Sequence, residues 1–133
     1  MSIGSFKLPL KSGSGASVTD NFLCDNNTVT WVDGSYIAPS GTPTVLASIS
    51  YTSLVSVIGG AQYTLKIGGI AIAWYNASGT FISTSGGGSD RFAMKTYTSP
   101  ATAAFARFNF QTSKKSSFIV YKGTDIYFRK LIE

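Results

Sequence analysis

Apolar and polar residues alternate with a period of two along most of this chain after about residue 28. In QYTLKI (62–67), Tyr63, Leu65 and Ile67 fall on one face of an extended segment, and polar residues occupy the other face. No segment of ten or more residues has the 3.6-residue period of an amphipathic helix. The pattern therefore predicts an all-β protein.

Turn-forming residues divide this pattern into short strands. The dipeptide Asp33-Gly34 is a strong turn signal, and it predicts a break between the first two strands. Short strands at this spacing are typical of a two-sheet antiparallel β-sandwich, such as a jelly roll. The predicted strands are TVTWVD (28–33), SYIA (35–38), VLASISY (45–51), LVSVI (54–58), QYTLKI (62–67), IAIAWY (70–75), TFIS (80–83), RFAMKTY (91–97), AAFARFNF (103–110), SFIVY (117–121) and IYFR (126–129).

The length of 133 residues fits one domain of ordinary size. Residues 1–17 are rich in Gly and Ser, and we expect them to form a flexible leader. Residues 18–133 are then the single β-sandwich domain. Charged residues make up only 13% of the chain, about half the usual share, so Ser, Thr, Asn and Gly must supply most of the polar surface.

The charge distribution argues against a nucleic-acid partner. The net charge is +5, yet the basic residues are spread along the chain, and only Lys114-Lys115 and Arg129-Lys130 are adjacent pairs. A dedicated nucleic-acid site needs a denser basic patch than this. No run of about 18 apolar residues occurs, so we expect no insertion into a membrane.

The absence of histidine excludes a Ser-His-Asp triad, a Cys-His pair and His-ligated zinc. Cys24 is the only cysteine, so no intrachain disulfide and no cysteine-based metal cluster can form. The six carboxylates are scattered and lie mostly in turns or tails, which favours solvated surface charges. We therefore expect a protein without enzymatic activity, although a lyase centre built from Tyr97 and Arg107 stays open.

Four motifs in order give the segment from Trp31 to Phe110 a family resemblance. They are VDGSYI (32–37), VIGGAQYTL (57–65), IAIAWYNASGTFIS (70–83) and YTSPATAAFARF (97–108). Together they resemble the carbohydrate-binding-module-like jelly-roll domains of bacteriophage tail spikes and tail fibres. The resemblance implies a β-sandwich that binds bacterial surface polysaccharide without catalysis, as part of a homotrimer in the extracellular virion tail. The alternative is a structural domain that trimerises or caps the spike without binding a glycan.

Two neighbouring aromatic residues are candidates for different roles. Alternation places Ile70, Ile72 and Trp74 on one face of their strand, and Ala71, Ala73 and Tyr75 on the other. The first face is typical of a core. The second face is shallow, so a ligand could approach it closely. We therefore expect Trp74 to lie in the core and Tyr75 to make the contact.

The strand AAFARFNF places Phe105, Arg107 and Asn109 on one face. Guanidinium and amide groups match the hydroxyl pairs of sugars, and a guanidinium also matches an acidic glycan. The other interpretation is that Arg107 pairs with a carboxylate or caps exposed carbonyls. Trp31 could stack on a sugar or act as a lid over the sandwich edge. The candidate carbohydrate-binding residues are Trp31, Tyr36, Trp74, Tyr75, Tyr97, Arg107 and Asn109. Tyr51 and Tyr121 are further candidates, and these two rings, like those of Tyr36 and Tyr97, fit the core or rim better than a ligand contact.

No cofactor is expected apart from a possible structural Ca²⁺. Oxygen atoms of Asp20, Asp25, Asn26 and Asn27 could ligate it, as could Asp33 with loop carbonyls. The structural alternative, a trimerising cap, predicts an exposed apolar patch near the C-terminus. The candidates for that patch are Phe118, Ile119, Tyr127 and Phe128.

Overall fold

A computed structural model describes residues 21–65, 69–86 and 94–123, with only the backbone at 69–70. Two antiparallel sheets pack against each other as a sandwich, which confirms the predicted all-β, two-sheet architecture. The smaller sheet has four strands in the order β1-β10-β5-β8. These strands are β1 (Phe22–Asp25), β5 (Gln62–Leu65), β8 (Lys95–Thr98) and β10 (Ile119–Lys122).

The larger sheet has six strands, in the order β2-β3-β9-β6-β7 with β4 also paired to β9. They are β2 (Trp31–Ile37), β3 (Pro43–Thr52), β4 (Val55–Ser56), β6 (Gly69–Tyr75), β7 (Phe81–Ser85) and β9 (Phe105–Gln111). A short 3₁₀ helix (Thr112–Ser117) connects β9 to β10. No helix in the described ranges is long and apolar enough to cross a membrane.

The core between the sheets is aromatic. Trp74, Tyr63, Phe108, Phe110 and Phe118 are fully or almost fully buried there. The indole N–H of Trp74 donates to Ser85 Oγ at 2.9 Å, so its one polar atom has a partner inside the sandwich. The expectation that Trp74 is a core residue is confirmed, and its burial removes it from any contact with a ligand.

Cys24 lies in the same core. Burial raises the pKa of its thiol to about 12, so the thiol stays neutral and unreactive near neutral pH. Its strand, β1, was absent from the predicted set, which began at residue 28. Only four residues form this strand, and a stretch so short carries little periodicity.

The hairpin of β2 and β3 bends over the outer face of the larger sheet, the face that points away from the core. Pairing runs from Asp33 opposite Ser50 directly to Ser35 opposite Val45, so the register shifts at this point. Gly34, with φ of +78°, lies in the shift. The predicted turn at Asp33-Gly34 was therefore wrong: the glycine forms an irregularity inside one continuous strand rather than a hairpin turn.

The tip of this hairpin packs on two strands of the larger sheet. Ile37 is 3% exposed and forms a second apolar cluster with Ala73 and Tyr75, outside the main core. Gly41, in the turn, lies so close to the ring of Phe81 that an added Cβ would come within 2.5 Å of its Cδ2. The larger sheet is thus covered on both faces, by the smaller sheet on one and by its own hairpin on part of the other.

We expect Gly41→Ala to destabilise the fold more than Gly79→Ala. Both glycines have positive φ, +89° and +81°, so alanine is strained at each by about 1–2 kcal/mol. Only Gly41 meets Phe81, whereas nothing lies within 4 Å of a Cβ at Gly79. Overpacking should lower the free energy of unfolding of Gly41→Ala by about 1–3 kcal/mol beyond the matched variant, measured by urea denaturation. Equal losses would contradict the packing of the tip on Phe81.

Candidate functional site

Five side chains form an aromatic and cationic cluster on the outer face of the larger sheet, called here the outer-face cluster. In β9, Ala106, Phe108 and Phe110 point into the core, so Phe105 and Arg107 point outward. Tyr75 pairs with Phe105 on one side and with Phe81 on the other, which places three rings in one row across β9, β6 and β7. The members of the cluster are Tyr51, Tyr75, Phe81, Phe105 and Arg107.

Arg107 lies between two tyrosines of this cluster. Its guanidinium carbon is 5.5 Å from the ring centre of Tyr51 and 5.6 Å from that of Tyr75, both cation–π distances. One terminal N–H donates to the carbonyl oxygen of Thr52 at 3.0 Å. Within the described ranges no carboxylate pairs with Arg107, and the ion pair found there is Lys115 with Asp33. Of the two non-binding interpretations of Arg107, the structure contains the carbonyl cap.

Tyr75 points away from the core, as the alternation predicts, but it is only 8% exposed. Phe81 contacts its ring edge-on at 5.8 Å, and Ile37 from the hairpin packs in the same cluster. Burial raises the pKa of its hydroxyl, and the neighbouring charge of Arg107 offsets part of that rise. Tyr75 thus faces outward without being open to solvent. The half-buried rings of Tyr51, Phe81 and Phe105 form the accessible part of the cluster.

Asn109 is not available to a sugar. It is 1% exposed, its Oδ1 accepts from the backbone N–H of Ile37 at 2.9 Å, and its Nδ2 donates to the carbonyl of the same residue at 2.9 Å. The prediction that Asn109 contacts a ligand is wrong, because the oxygen and the nitrogen of its amide are both hydrogen-bonded to the backbone of Ile37. Asn109 instead holds the hairpin tip against the sheet.

Trp31 lies apart from the outer-face cluster, at the edge of the main core. Its ring contacts Phe118 edge-on at 5.1 Å, and its indole N–H donates to Asn26 Oδ1 at 2.8 Å. Lys115 Nζ lies 5.6 Å from the ring centre. Trp31 is thus half-buried and packs on the main core. This position corresponds to a lid over the sandwich edge, which was the alternative to a ring that stacks on a sugar.

The remaining candidate tyrosines do not join the cluster either. Tyr97 is in β8 of the smaller sheet and packs against the main core, whereas Arg107 is on the outer face of the larger sheet. The structure therefore does not bring together the Tyr97–Arg107 pair that a lyase centre would need. Tyr36 is half-buried in the hairpin, and alternation directs it away from the side on which Ile37 packs. Tyr121 contacts Phe22 on the smaller sheet.

The residues considered for Ca²⁺ already use several of their oxygens within the protein. Asp25 Oδ1 accepts from the backbone N–H of Asn27 at 2.9 Å, and Asn26 Oδ1 accepts from Trp31. The described ranges contain no group of three or more Asp, Glu, Cys or His side chains that could hold a metal ion. Asp20 lies outside the described residues.

A cleft of about 300 Å³ borders the loop that follows β1. It is lined by Asp25, Asn26, Asn27, Ser116, Ser117, Phe118 and Ile119.

The apolar patch predicted at the C-terminus is not formed by Phe118. That residue is 2% exposed and belongs to the main core, and Ile119 is half-buried. Tyr127 and Phe128 lie outside the described residues. Large apolar side chains are exposed elsewhere: Phe22, Val32, Val45, Leu46, Leu54 and Ile58.

Comparisons with protein-family models, curated protein sequences and solved structures give no match to this chain. The resemblance to phage tail modules therefore stays an expectation from sequence motifs. Sequence reasoning included Tyr51 only as a secondary candidate and did not connect Phe81 with Arg107. Their outward direction follows from alternation, but their proximity depends on strand pairing, which a single sequence does not reveal.

We expect Asn109→Ala to lower the free energy of unfolding by about 2–4 kcal/mol. The substitution leaves the buried N–H and C=O of Ile37 without their partner, and each such group costs about 1–3 kcal/mol. Asn27→Ala is the matched control, since Asn27 is exposed and its side chain makes no hydrogen bond in the described part of the chain. Denaturant unfolding of both variants measures the difference. A loss as small as that of the control would contradict the proposed role of Asn109.

Asp33 should make stability depend on pH in the acid range. Hydrogen bonds from Lys115 and Ser50 hold the pKa of its carboxyl below the usual range. The stabilisation is present above the ordinary pKa of about 4 and is lost as the pH falls through the lowered pKa of the folded protein. Asp33→Asn should therefore be less stable than wild type at about pH 7, and the difference in stability should be smaller at about pH 2. Thermal unfolding at both values tests this, and a gap that is undiminished in acid would refute it.

Proposed function

We propose that this chain is a non-catalytic carbohydrate-binding module that attaches to bacterial surface polysaccharide, and that the outer-face cluster is its binding face. The observation that carries the proposal is a partly open row of aromatic rings beside a guanidinium that has no carboxylate partner among the described residues. Aromatic rings bind the C–H faces of sugars, and guanidinium N–H groups bind their oxygen atoms.

The position of the cluster on a sheet suits a polymer. A strand holds each side chain at a fixed height and spacing, so the site needs no loop closure to form. Arg107 is further fixed by Thr52 and by two tyrosine rings, which lowers the entropy lost when a ligand binds. A glycan chain lying across β9 and β3 would contact Tyr51 and Arg107 together.

The biological setting of the proposal comes from the motif resemblance. A module of a phage tail spike or fibre would act as a homotrimer within a larger assembly outside the cell. A well-hydrated sugar yields little net binding energy at one site. Three linked copies would raise the overall affinity through avidity, by factors of about 10²–10⁴ when the geometry allows simultaneous contact.

The second candidate function is a trimerising or capping domain that touches no glycan. The hairpin of β2 and β3 favours it, because Val45 is 85% exposed, Leu46 47% and Val32 44%. Single apolar residues are common on surfaces, but three on one hairpin are a plausible subunit contact. A stable oligomer that is broken by Val45→Lys, together with no binding to any glycan, would support this function instead.

We expect Tyr51→Ala and Phe105→Ala to weaken polysaccharide binding at least about tenfold, because each removes a partly exposed ring from the binding face. Phe22→Ala is the control, since this ring is 38% exposed but lies on the smaller sheet. Titration calorimetry against polysaccharides chosen from a bacterial glycan array provides the measurement, after circular dichroism has confirmed that each variant is folded.

Two results would overturn the proposal. One is the absence of binding to every glycan on the array. The other is equal loss of affinity in Phe22→Ala and in the outer-face variants, which would place the contact elsewhere or make it non-specific. The array and the control variant therefore test the activity and its location separately.

A further inference from the structure

The outer-face cluster contains a positive charge that the described residues do not neutralise. Arg107 is half-buried, and its contacts are a backbone carbonyl and two tyrosines. By contrast, Lys115 is paired with the carboxylate of Asp33 at 2.7 Å. A half-buried charge with neutral partners has lost part of its hydration without gaining an opposite charge. An anion at this position would supply the missing partner.

The hydrogen-bonding capacity of Arg107 is also incompletely used. A guanidinium has five N–H donors. One of them binds the Thr52 carbonyl, and another contact goes to the hydroxyl of Tyr75. The other N–H groups have no acceptor among the described residues. Because these donors form a planar fork, two of them can bind two oxygens of one oxyanion at the same time.

We propose that the glycan is acidic, and that Arg107 binds an oxyanion carried by its sugars, either a carboxylate or a phosphodiester. This inference rests on the proposed function and specifies its substrate class. The sugar ring that bears the oxyanion would lie against the accessible face of Tyr51, whose ring is 5.5 Å from the guanidinium carbon. The net charge of +5 would attract an acidic polymer at longer range.

The test compares binding of wild type to bacterial capsular and lipopolysaccharide glycans, half of which are acidic and half neutral. Each acidic glycan that binds is measured again after carboxyl reduction, which converts its uronic acids to neutral sugars, or, where phosphodiesters are attached as side groups, after treatment with aqueous hydrogen fluoride, which removes the whole phosphate and leaves the polysaccharide chain intact. We expect binding to acidic glycans to fall at least about tenfold after one of these treatments, because the charge-assisted hydrogen bonds are lost. The treatment that abolishes binding identifies the oxyanion.

Variants distinguish the contribution of Arg107 to binding from that of the net positive charge of the protein. Arg107→Gln should weaken binding to the native acidic glycan by at least about tenfold, and removal of the glycan charge should lower the affinity of this variant less than it lowers that of wild type. Arg107→Lys keeps the charge but loses the planar fork of donors. Its affinity for the native acidic glycan should lie between that of wild type and that of Arg107→Gln. Lys122→Gln is the control, because it removes one charge from an exposed site on the smaller sheet. Its affinity should change less than about twofold at 0.15 M salt.

The outcomes distinguish this inference from the proposed function. Saturable binding to neutral glycans, or equal affinity before and after charge removal, would overturn the acidic substrate class and keep the carbohydrate-binding module. No binding to any glycan would overturn both. If Arg107→Gln fails to fold, the affinities of wild type for native and neutralised glycans still decide whether the glycan must be acidic. An equal loss in Arg107→Gln and Lys122→Gln would show non-specific attraction and would refute the role of Arg107.

Discussion

The hydrogen bonds between the Asn109 amide and the backbone of Ile37 determine the shape of the outer face. The amide occupies the N–H and the C=O of one residue in the way that a neighbouring strand would. The hairpin tip therefore lies on the larger sheet instead of extending into solvent. Because Ile37 covers Ala73 and Tyr75, the sheet gains a small second apolar cluster outside the main core. An unpaired amide at this depth would be costly, so the two partners depend on each other.

Under the proposed function, this arrangement would give the outer-face residues two roles. Tyr75 is buried within the cluster and contributes to stability, whereas the rings of Tyr51 and Phe105 are half-buried and partly accessible to solvent. Arg107 is oriented by neighbours that are themselves fixed by strand pairing, so its free donors have a defined direction. Stability and the proposed recognition would consequently share residues. A variant that weakens binding has to be compared with a control of similar size and exposure before the loss is assigned to a ligand contact.

The low charge content adds to the importance of Arg107, whose guanidinium has no carboxylate partner among the described residues. With charged residues at 13% of the chain, few side chains could neutralise or compete with it. The surface around it offers hydroxyls and aromatic rings, which interact with sugars weakly and over a large area. The acidic substrate class would then arise from one residue, while affinity would come from several rings and from multiple copies of the module.

Alternation along the chain determined the all-β class, the inward direction of Trp74 and the outward direction of Tyr75 and Arg107. These features depend only on the two-residue period of a strand, which is local and can be read from sequence. The tertiary structure decided that Tyr75 is covered, that Asn109 binds Ile37, and that Tyr97 lies on the other sheet from Arg107. These facts depend on the register shift at Gly34 and on pairing between strands distant in sequence, such as β3 with β9. Long-range pairing is selected by the packing of the whole sandwich, so no single segment encodes it.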